Sequence, residues 1–537
     1  MNSSTGATRS EADPCTEQSV ETWQVRKPAV RSDGGVVVTQ HYAASDIGAK
    51  VLTEGGNAVD AAVAAGLAIG AVEPWMSGLG GGGCMMVFDA KSQRAQAVDF
   101  GMRAPFALDP ADYPLTPGAS DDDLFGWPAV LDERNVRGPL SIATPGLVAG
   151  YALALELFGT RGFEAAVEPA IALAEAGMAV DWYATLKIAS GAPSLSAYEH
   201  SRKTYLPNDH VPAGAWGGPL PRIRLGRLAD TFRRLRDAGP QDFYTGEIAS
   251  SIAADAQALG LRLGAGDLAG YEARLVSLEP TRYRGANVYA APYLSAGPSL
   301  ARALELMAAD WSPGAAPDAG AYSAYANALA LAYAERLAQM GESAGPEPAP
   351  SCTTHISVVD KDGNCVALTQ TLLSVFGSKV MLPGTGMLMN NGVMWFDPRP
   401  GRPNSMAPGK RPLSNMCPTL IQRDDDLSVA LGASGGRRIM PAVLQLTSFL
   451  VDFAMSVDDA CHQPRIDLSG GNTVFADRKL PDTVVRALEA HRPVQTVTHG
   501  VYPVLFACPN VAARDSRRAL SQGAAFIMSP WSKASAG

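Results

Sequence analysis

Two adjacent threonines, Thr353 and Thr354, stand where a Pro/Gly/Glu-rich stretch at 341–350 (GESAGPEPAP) gives way, through Ser351 and Cys352, to the apolar run HISVV. A threonine hydroxyl is a weak nucleophile unless a base sits beside it. The first residue of a chain carries such a base in its own α-amine, whose pKa of about 7.7–8.0 lets it take the hydroxyl proton near neutral pH. Thr353 is internal, so this chemistry requires the Cys352–Thr353 peptide to be cut first. A loop ending at a strand suits both needs, since the loop can be exposed and strained while the strand holds the new terminus. The plainer alternative is that both threonines are ordinary β-forming residues. Cys352 and His355 also suggest a thiol–imidazole pair, but a spacing of three on an extended segment puts them on opposite faces.

Two glycine groups raise other chemistry. Gly80–Gly83 feed the run CMMVFDA, which reads as a strand. Phosphate-cradling glycines feed a helix N-terminus instead, so close backbone packing is the expectation here. GASGG, ending at Gly435 and Gly436, reads as a tight turn between the strand LSVAL and the helix RRIMPAVLQLTSFLVDFAM. The seven histidines show no HExxH or HxH spacing, so a zinc site is not expected.

The elements that must position these groups can be read from pattern. GVVVTQH reads as a strand, and the alanine-rich pieces on either side of GGN read as two packed helices. Residues 140–190 and 225–275 are mostly helical by apolar period, as is 321–342, which ends at Gly341 and the prolines after it. DKDGN is a hairpin signal between the strands HISVV and CVALTQT. Helix-rich and strand-led runs together predict a layered α+β domain rather than a doubly wound sheet.

The chain has 537 residues, 47% apolar and 18% charged, with a formal net charge of −9. That is long enough for a large core, and an acidic chain without a Lys/Arg cluster is a poor partner for nucleic acid or an anionic membrane. Seven scattered cysteines with no CxxC pair, no signal-like start and no apolar run of membrane length lead to the expectation of a cytoplasmic protein with a disordered tail over 1–25.

From about 35 to 470 the sequence resembles the gamma-glutamyltranspeptidases, N-terminal-nucleophile hydrolases that cut themselves before a threonine. The matching pieces, in order, are GGNAVDAAVA, VEPWMSGLGGGG, DFGMRAP, TTHISVVDKDGN, LTQT, FGS, GTGMLMNN, PGKRPLSNMCPTL and GASGGRRI. The resemblance implies a four-layer αββα sandwich, a cut between Cys352 and Thr353, a large subunit of 26–352 and a small subunit of 353–537. It implies no cofactor, a small-molecule amide as substrate, and two subunits from one chain, with dimerisation of that pair left open. It makes Thr353 the nucleophile and Thr371 its hydrogen-bonding helper. Gly435 and Gly436 become the oxyanion-binding turn, and Ser414 and Asn415 a polar pair at the substrate's carboxylate end. Thr354 matches the family's second threonine.

The chain departs from the family where the glutamyl group is held. Leu373 stands where the family usually has Asn. Gly392 and Trp395 stand where it has an acidic or amide residue and an Asp. Gly101 stands where it has the arginine after DF, with Arg103 two residues on. A buried ammonium without partners costs several kcal/mol, on the order of a lost ion pair. The resemblance is therefore closest to the branch containing cephalosporin acylases, and Arg103 and Ser414 are expected to meet the acyl group's carboxylate. Trp395 can still hold a cation over its ring face, which keeps gamma-glutamyl transfer or hydrolysis as a second reading. A non-catalytic descendant acting as a binding module is a third.

Overall fold

The computed structural model describes residues 23–119, 127–214, 217–340 and 352–537. The expected tail lies outside them except for 23–25, and the Pro/Gly/Glu loop before Cys352 lies outside them altogether.

Two seven-stranded sheets form the centre. Fourteen strands build them: β1 (Val30–Ser32), β2 (Val36–Thr39), β3 (Gly82–Asp89), β4 (Arg94–Phe100), β5 (Arg274–Ser277), β6 (Thr281–Tyr283), β7 (Ala286–Ala290), β8 (Cys352–Val359), β9 (Cys365–Leu373), β10 (Thr419–Arg423), β11 (Leu427–Ser434), β12 (Cys508–Asp515), β13 (Leu520–Ala524) and β14 (Lys533–Ala536). The first sheet runs β14-β2-β8-β9-β3-β4-β5 and the second β1-β13-β12-β11-β10-β7-β6. Every pairing within the two is antiparallel.

Side-chain alternation assigns each strand face to a layer. On β3, Met85 and Val87 join the core under the helices, while Cys84, Met86 and Phe88 join the core between the sheets. Val37 against Val36 and Val38 repeats the pattern on β2. The outer face of the first sheet is covered by α1 (Tyr42–Thr53), α2 (Ala58–Val72), α3 (Leu147–Phe158), α4 (Phe163–Ala176) and α5 (Trp182–Leu195). The second sheet is covered by α6 (Gly297–Asp310), α7 (Ala319–Met340) and α8 (Ile439–Val451). This is the four-layer αββα sandwich. The helix-rich half does not stand apart, because β2, β3 and β4 sit in one sheet with β8 and β9.

Asn57 starts α2 with a capping box, its side chain accepting from the Asp60 amide while Asp60 accepts from the Asn57 amide. α2 is buried all round, which its alanine content permits by letting helix and sheet approach closely. The Gly80–Gly83 run serves close packing, as its position before a strand predicts. A Cβ on Gly81 would fall 2.4 Å from the Thr371 carbonyl oxygen, and one on Gly83 2.3 Å from that of Thr369. Glycine there lets the start of β3 press against the end of β9. Gly81→Ala is expected to cost about 1–3 kcal/mol through that overlap, read as a lower Tm. An unchanged Tm would mean that the contact is not needed.

Candidate active site

The head of β8 meets the tail of β9 through an irregularity. Cys352 pairs with Leu373 and Thr354 with Gln370, so Thr371 and Leu372 together oppose Thr353. Such bulges re-aim side chains beside active sites. Here Thr353 Oγ1 donates to Thr371 Oγ1 at 3.3 Å, and Thr371 Oγ1 accepts from the Leu373 amide at 2.8 Å. Leu373 is buried at φ +90°, a strained conformation for a branched side chain and a mark of local over-determination. The Thr354 hydroxyl is buried with no partner among the described residues, so of the two threonines Thr353 has the built environment.

His355 is engaged between the sheets. Its ring lies between the sheets, bonded to Thr369 Oγ1 at 2.8 Å and Ser357 Oγ at 3.0 Å, and burial holds its pKa down at about 3. A Cβ on Gly432 would come within 2.3 Å of that ring. Gly432 is therefore the point where β11 crosses β8, and two residues further β11 ends at Ser434.

Gly435 (φ +135°) and Gly436 (φ +59°) then turn the chain into α8 through a short 3-10 turn, Gly436–Arg438. The Gly435 amide donates to no backbone carbonyl among the described residues. Gln40 Nε2 donates to Ser434 Oγ, and Arg438 reaches the Val504 carbonyl, so the turn is tied on both sides.

A cavity of about 460 Å³ opens beside this end of the sheets. Gly101, Met102, Trp395, Arg411, Ser414 and Met416 line it, with Asp99 the one acid in its wall. A Cβ on Gly392 would lie 2.8 Å from Met102 Sδ and 2.9 Å from Ala143 Cβ, so no side chain fits at that position. Trp395 is 3% exposed and its indole Nε1 finds no acceptor among the described residues. Leu373, Met102 and Trp395 share one apolar cluster at this wall.

Arg103 does not reach the cavity. Its Nη1 donates to the Gly270 carbonyl at 2.7 Å and Nη2 to that of Asp267 at 2.9 Å, with the guanidinium 4.7 Å over the Phe106 ring. Arg411 reaches it instead. Its Nη1 lies 3.0 Å from Asp99 Oδ2, Nη2 donates to the Glu272 carbonyl at 2.7 Å, and Nε is buried without an acceptor. A Cβ on Gly101 would lie 3.8 Å from Arg411 Nη1.

Ser414 is held by a residue that pattern alone gives little reason to choose. Arg336, buried on α7, donates to the carbonyls of Ser295 and Ser414, both at 2.6 Å, and burial lowers its pKa to about 10. It stays charged and staples two cavity-lining loops together. Its one signal in the sequence is that it is a lone arginine in the apolar helix LALAYAERLAQM. The Asn415 Nδ2, between the lining residues Ser414 and Met416, is buried without an acceptor. The structural part played by Asn390 and Asn391 is likewise absent from the pattern. Asn390 Nδ2 donates to the carbonyls of Gly80 and Ala143, and Asn391 Oδ1 accepts from the Ser374 amide. Together they pin the segment after β9. Among the described residues no cluster of His, Cys, Asp or Glu could hold a metal ion.

The sandwich, with a threonine at the head of an inner strand and a glycine turn at the same end, is the architecture of the N-terminal-nucleophile hydrolases. The chain belongs to the gamma-glutamyltranspeptidase family, whose sequence model matches residues 44–350 and 341–504. It is 32% identical to the acylase ACY 1 proenzyme of Pseudomonas sp. (strain SE83) over 90% of this chain and 91% of that one. It is also 32% identical to the glutathione hydrolase proenzyme of Escherichia coli (strain K12), over 81% of each. Cephalosporin acylase from Bacillus halodurans shares the fold, with a TM-score of 0.82 at 23% identity, covering 97% of this chain and 99% of that one. The chain is an enzyme of the gamma-glutamyltransferase and acylase type.

Proposed function

We propose that the protein is a self-processing amidohydrolase that acts on amides of acids lacking a free α-amine. The Thr353–Thr371 contact at the bulge, at the same end as a glycine amide that donates to no backbone carbonyl among the described residues, carries the reading. Cleavage before Thr353 produces chains of residues 1–352 and 353–537, both part of one sandwich. The freed α-amine takes the Thr353 hydroxyl proton as the oxygen attacks the amide carbonyl carbon. The carbonyl oxygen gathers negative charge facing the amides of Gly435 and Gly436. The α-ammonium returns its proton to the leaving nitrogen, the C–N bond breaks, and the amine departs. Water or an acceptor amine then attacks the Thr353 ester by the same route and regenerates the hydroxyl. Thr371 orients the nucleophile throughout.

The acyl group enters the cavity beside Trp395. Buried N–H donors without acceptors at Trp395, Arg411 and Asn415 favour an acceptor-rich end such as a carboxylate, met by Arg411 rather than by Arg103. The one acid there, Asp99, is already engaged with Arg411, which leaves an α-ammonium without a partner. Gamma-glutamyl transfer or hydrolysis, the activity that glutathione metabolism would use, is the competing reading, favoured by Trp395's ring face. A cytoplasmic location belongs to the same proposal, since Cys84, Cys365, Cys417 and Cys461 are buried free thiols. Fractionation of cells checks it.

Intact-mass analysis of purified protein tests processing, and terminal sequencing of the smaller chain should begin Thr-Thr-His-Ile. A persistent full-length chain after long incubation would count against the mechanism. Glutaryl-p-nitroanilide is expected to show a kcat/KM at least equal to that of gamma-glutamyl-p-nitroanilide at the same pH. A tenfold preference for the gamma-glutamyl compound, about 1.4 kcal/mol, would overturn the acyl assignment and make the enzyme a gamma-glutamyltransferase.

A further inference from the structure

The cavity beside Trp395 is larger than a short diacid needs. Its volume is about 460 Å³, and cavities of about 300–1,000 Å³ hold drug-sized ligands. Trp395, Ser414 and Met416 are buried and form its floor. Tyr293 and Leu294 form its mouth, where they are 59% and 43% exposed. Two large apolar side chains are thus left in water at the entrance to a site, which marks a surface prepared for a ligand.

β5 supplies the wall beside them. Asp99 on β4 pairs with Arg274, so Arg274 and Val276 turn the same face of the sheet toward the cavity as Asp99 does. Asp99 is taken by Arg411. Arg274 is exposed and has no carboxylate within ion-pair distance among the described residues.

The mouth is fixed to the floor. The Leu294 carbonyl accepts from the Ser414 amide at 2.7 Å, the Ser295 carbonyl accepts from Arg336 at 2.6 Å, and the Ala296 amide donates to the Met416 carbonyl at 2.9 Å. Beside these anchors Tyr293 sits at φ +57°, the left-handed region that a bulky side chain rarely adopts. A strained residue held by anchored neighbours, with its ring in water, is poised for a contact that the protein itself does not supply.

We propose that the acyl group this enzyme removes ends in an aromatic ring, which rests at the mouth against Tyr293 and Leu294 with the Arg274 guanidinium over its face. The inference rests on the reading of this cavity as the acyl site. Tyr293 and Leu294 receive the ring by apolar contact and ring packing, and a planar guanidinium without an acid partner stacks on an aromatic face. Arg411, deeper in the same wall, still takes the acceptor group, which the ring carries or adjoins.

The test uses matched p-nitroanilides, butanoyl against 4-phenylbutanoyl and hexanoyl against 6-phenylhexanoyl, in the wild-type enzyme, Tyr293→Ala and Tyr293→Phe. At the chain length that reaches the mouth, the phenyl compound is expected to lead by about tenfold or more in kcat/KM, the scale of burying one ring. Tyr293→Ala should lower that ratio several-fold and Tyr293→Phe should keep it. Equal ratios in wild type and Tyr293→Ala at both lengths would overturn the proposal, whatever the absolute rates. Calorimetry of 6-phenylhexanoate against hexanoate separates the two layers. If no anilide turns over but the phenyl acid binds more tightly in a Tyr293-dependent way, the catalytic reading fails and the aromatic site stands. Turnover of all the anilides with the same ratios in wild type and Tyr293→Ala does the reverse.

Discussion

Thr353→Ala is expected to remain one uncut chain and to release no p-nitroaniline above background. The substitution removes the oxygen that both reactions need, first against the peptide before it and then against substrate. Loss of a covalent nucleophile costs on the order of 10⁴-fold or more in kcat. The fold should be kept, since among the described residues Thr353 gives up one side-chain bond, to Thr371. Thr353→Ser keeps the hydroxyl and should retain part of both functions. Intact mass and anilide hydrolysis on the three proteins, with Tm as a folding control, decide the matter. A processed or active alanine variant would move the nucleophile elsewhere, and Thr354, with its unpartnered hydroxyl, would be the next candidate.

Gly435→Val should be the next most damaging change. A Cβ at 435 would lie 2.9 Å from the Ala507 Cα, closer than real contacts allow, and φ +135° is a conformation that valine resists. Relief requires the turn to move, and the Gly435 amide moves with it. Displacing an oxyanion donor costs about 10²–10³-fold in kcat. The loss should appear per processed molecule, counted by a single-turnover burst, because the same amide serves self-cleavage and fewer chains will mature. Undiminished kcat in the processed fraction would place the oxyanion elsewhere. Together the two variants separate attack from stabilisation: one lacks the attacking atom, the other keeps it but loses the charge that receives it.

Much of the framework is written locally. The hairpin at Asp360–Asn364, the capped helix after Asn57, the strand into GASGG and the helix beyond it all rest on short-range rules, which any chain segment carries with it. The glycine run is legible as packing for the same reason, because it leads into a strand and not into a helix. The threonine pair is legible because its spacing from a helix-breaking loop is a property of the chain alone.

The substrate end is not legible, and Arg103 shows why. Sequence proximity to DF makes it the natural carboxylate partner, yet its guanidinium is drawn to the carbonyls of Asp267 and Gly270, more than 160 residues away. Arg411, not Arg103, lines the cavity beside Gly101. Which way a long flexible side chain points depends on which carbonyls, rings and acids from distant segments lie within its reach. The same holds for Arg336, whose partners at Ser295 and Ser414 come from two loops it could not be assigned to in advance. The sequence by itself determined that a threonine heads a strand behind a Pro/Gly/Glu-rich stretch and that a glycine turn follows a strand, since both are local facts. Tertiary structure alone decided the cavity lined by Gly101, Trp395, Arg411 and Ser414, because it exists only where segments far apart in the chain fold against one another.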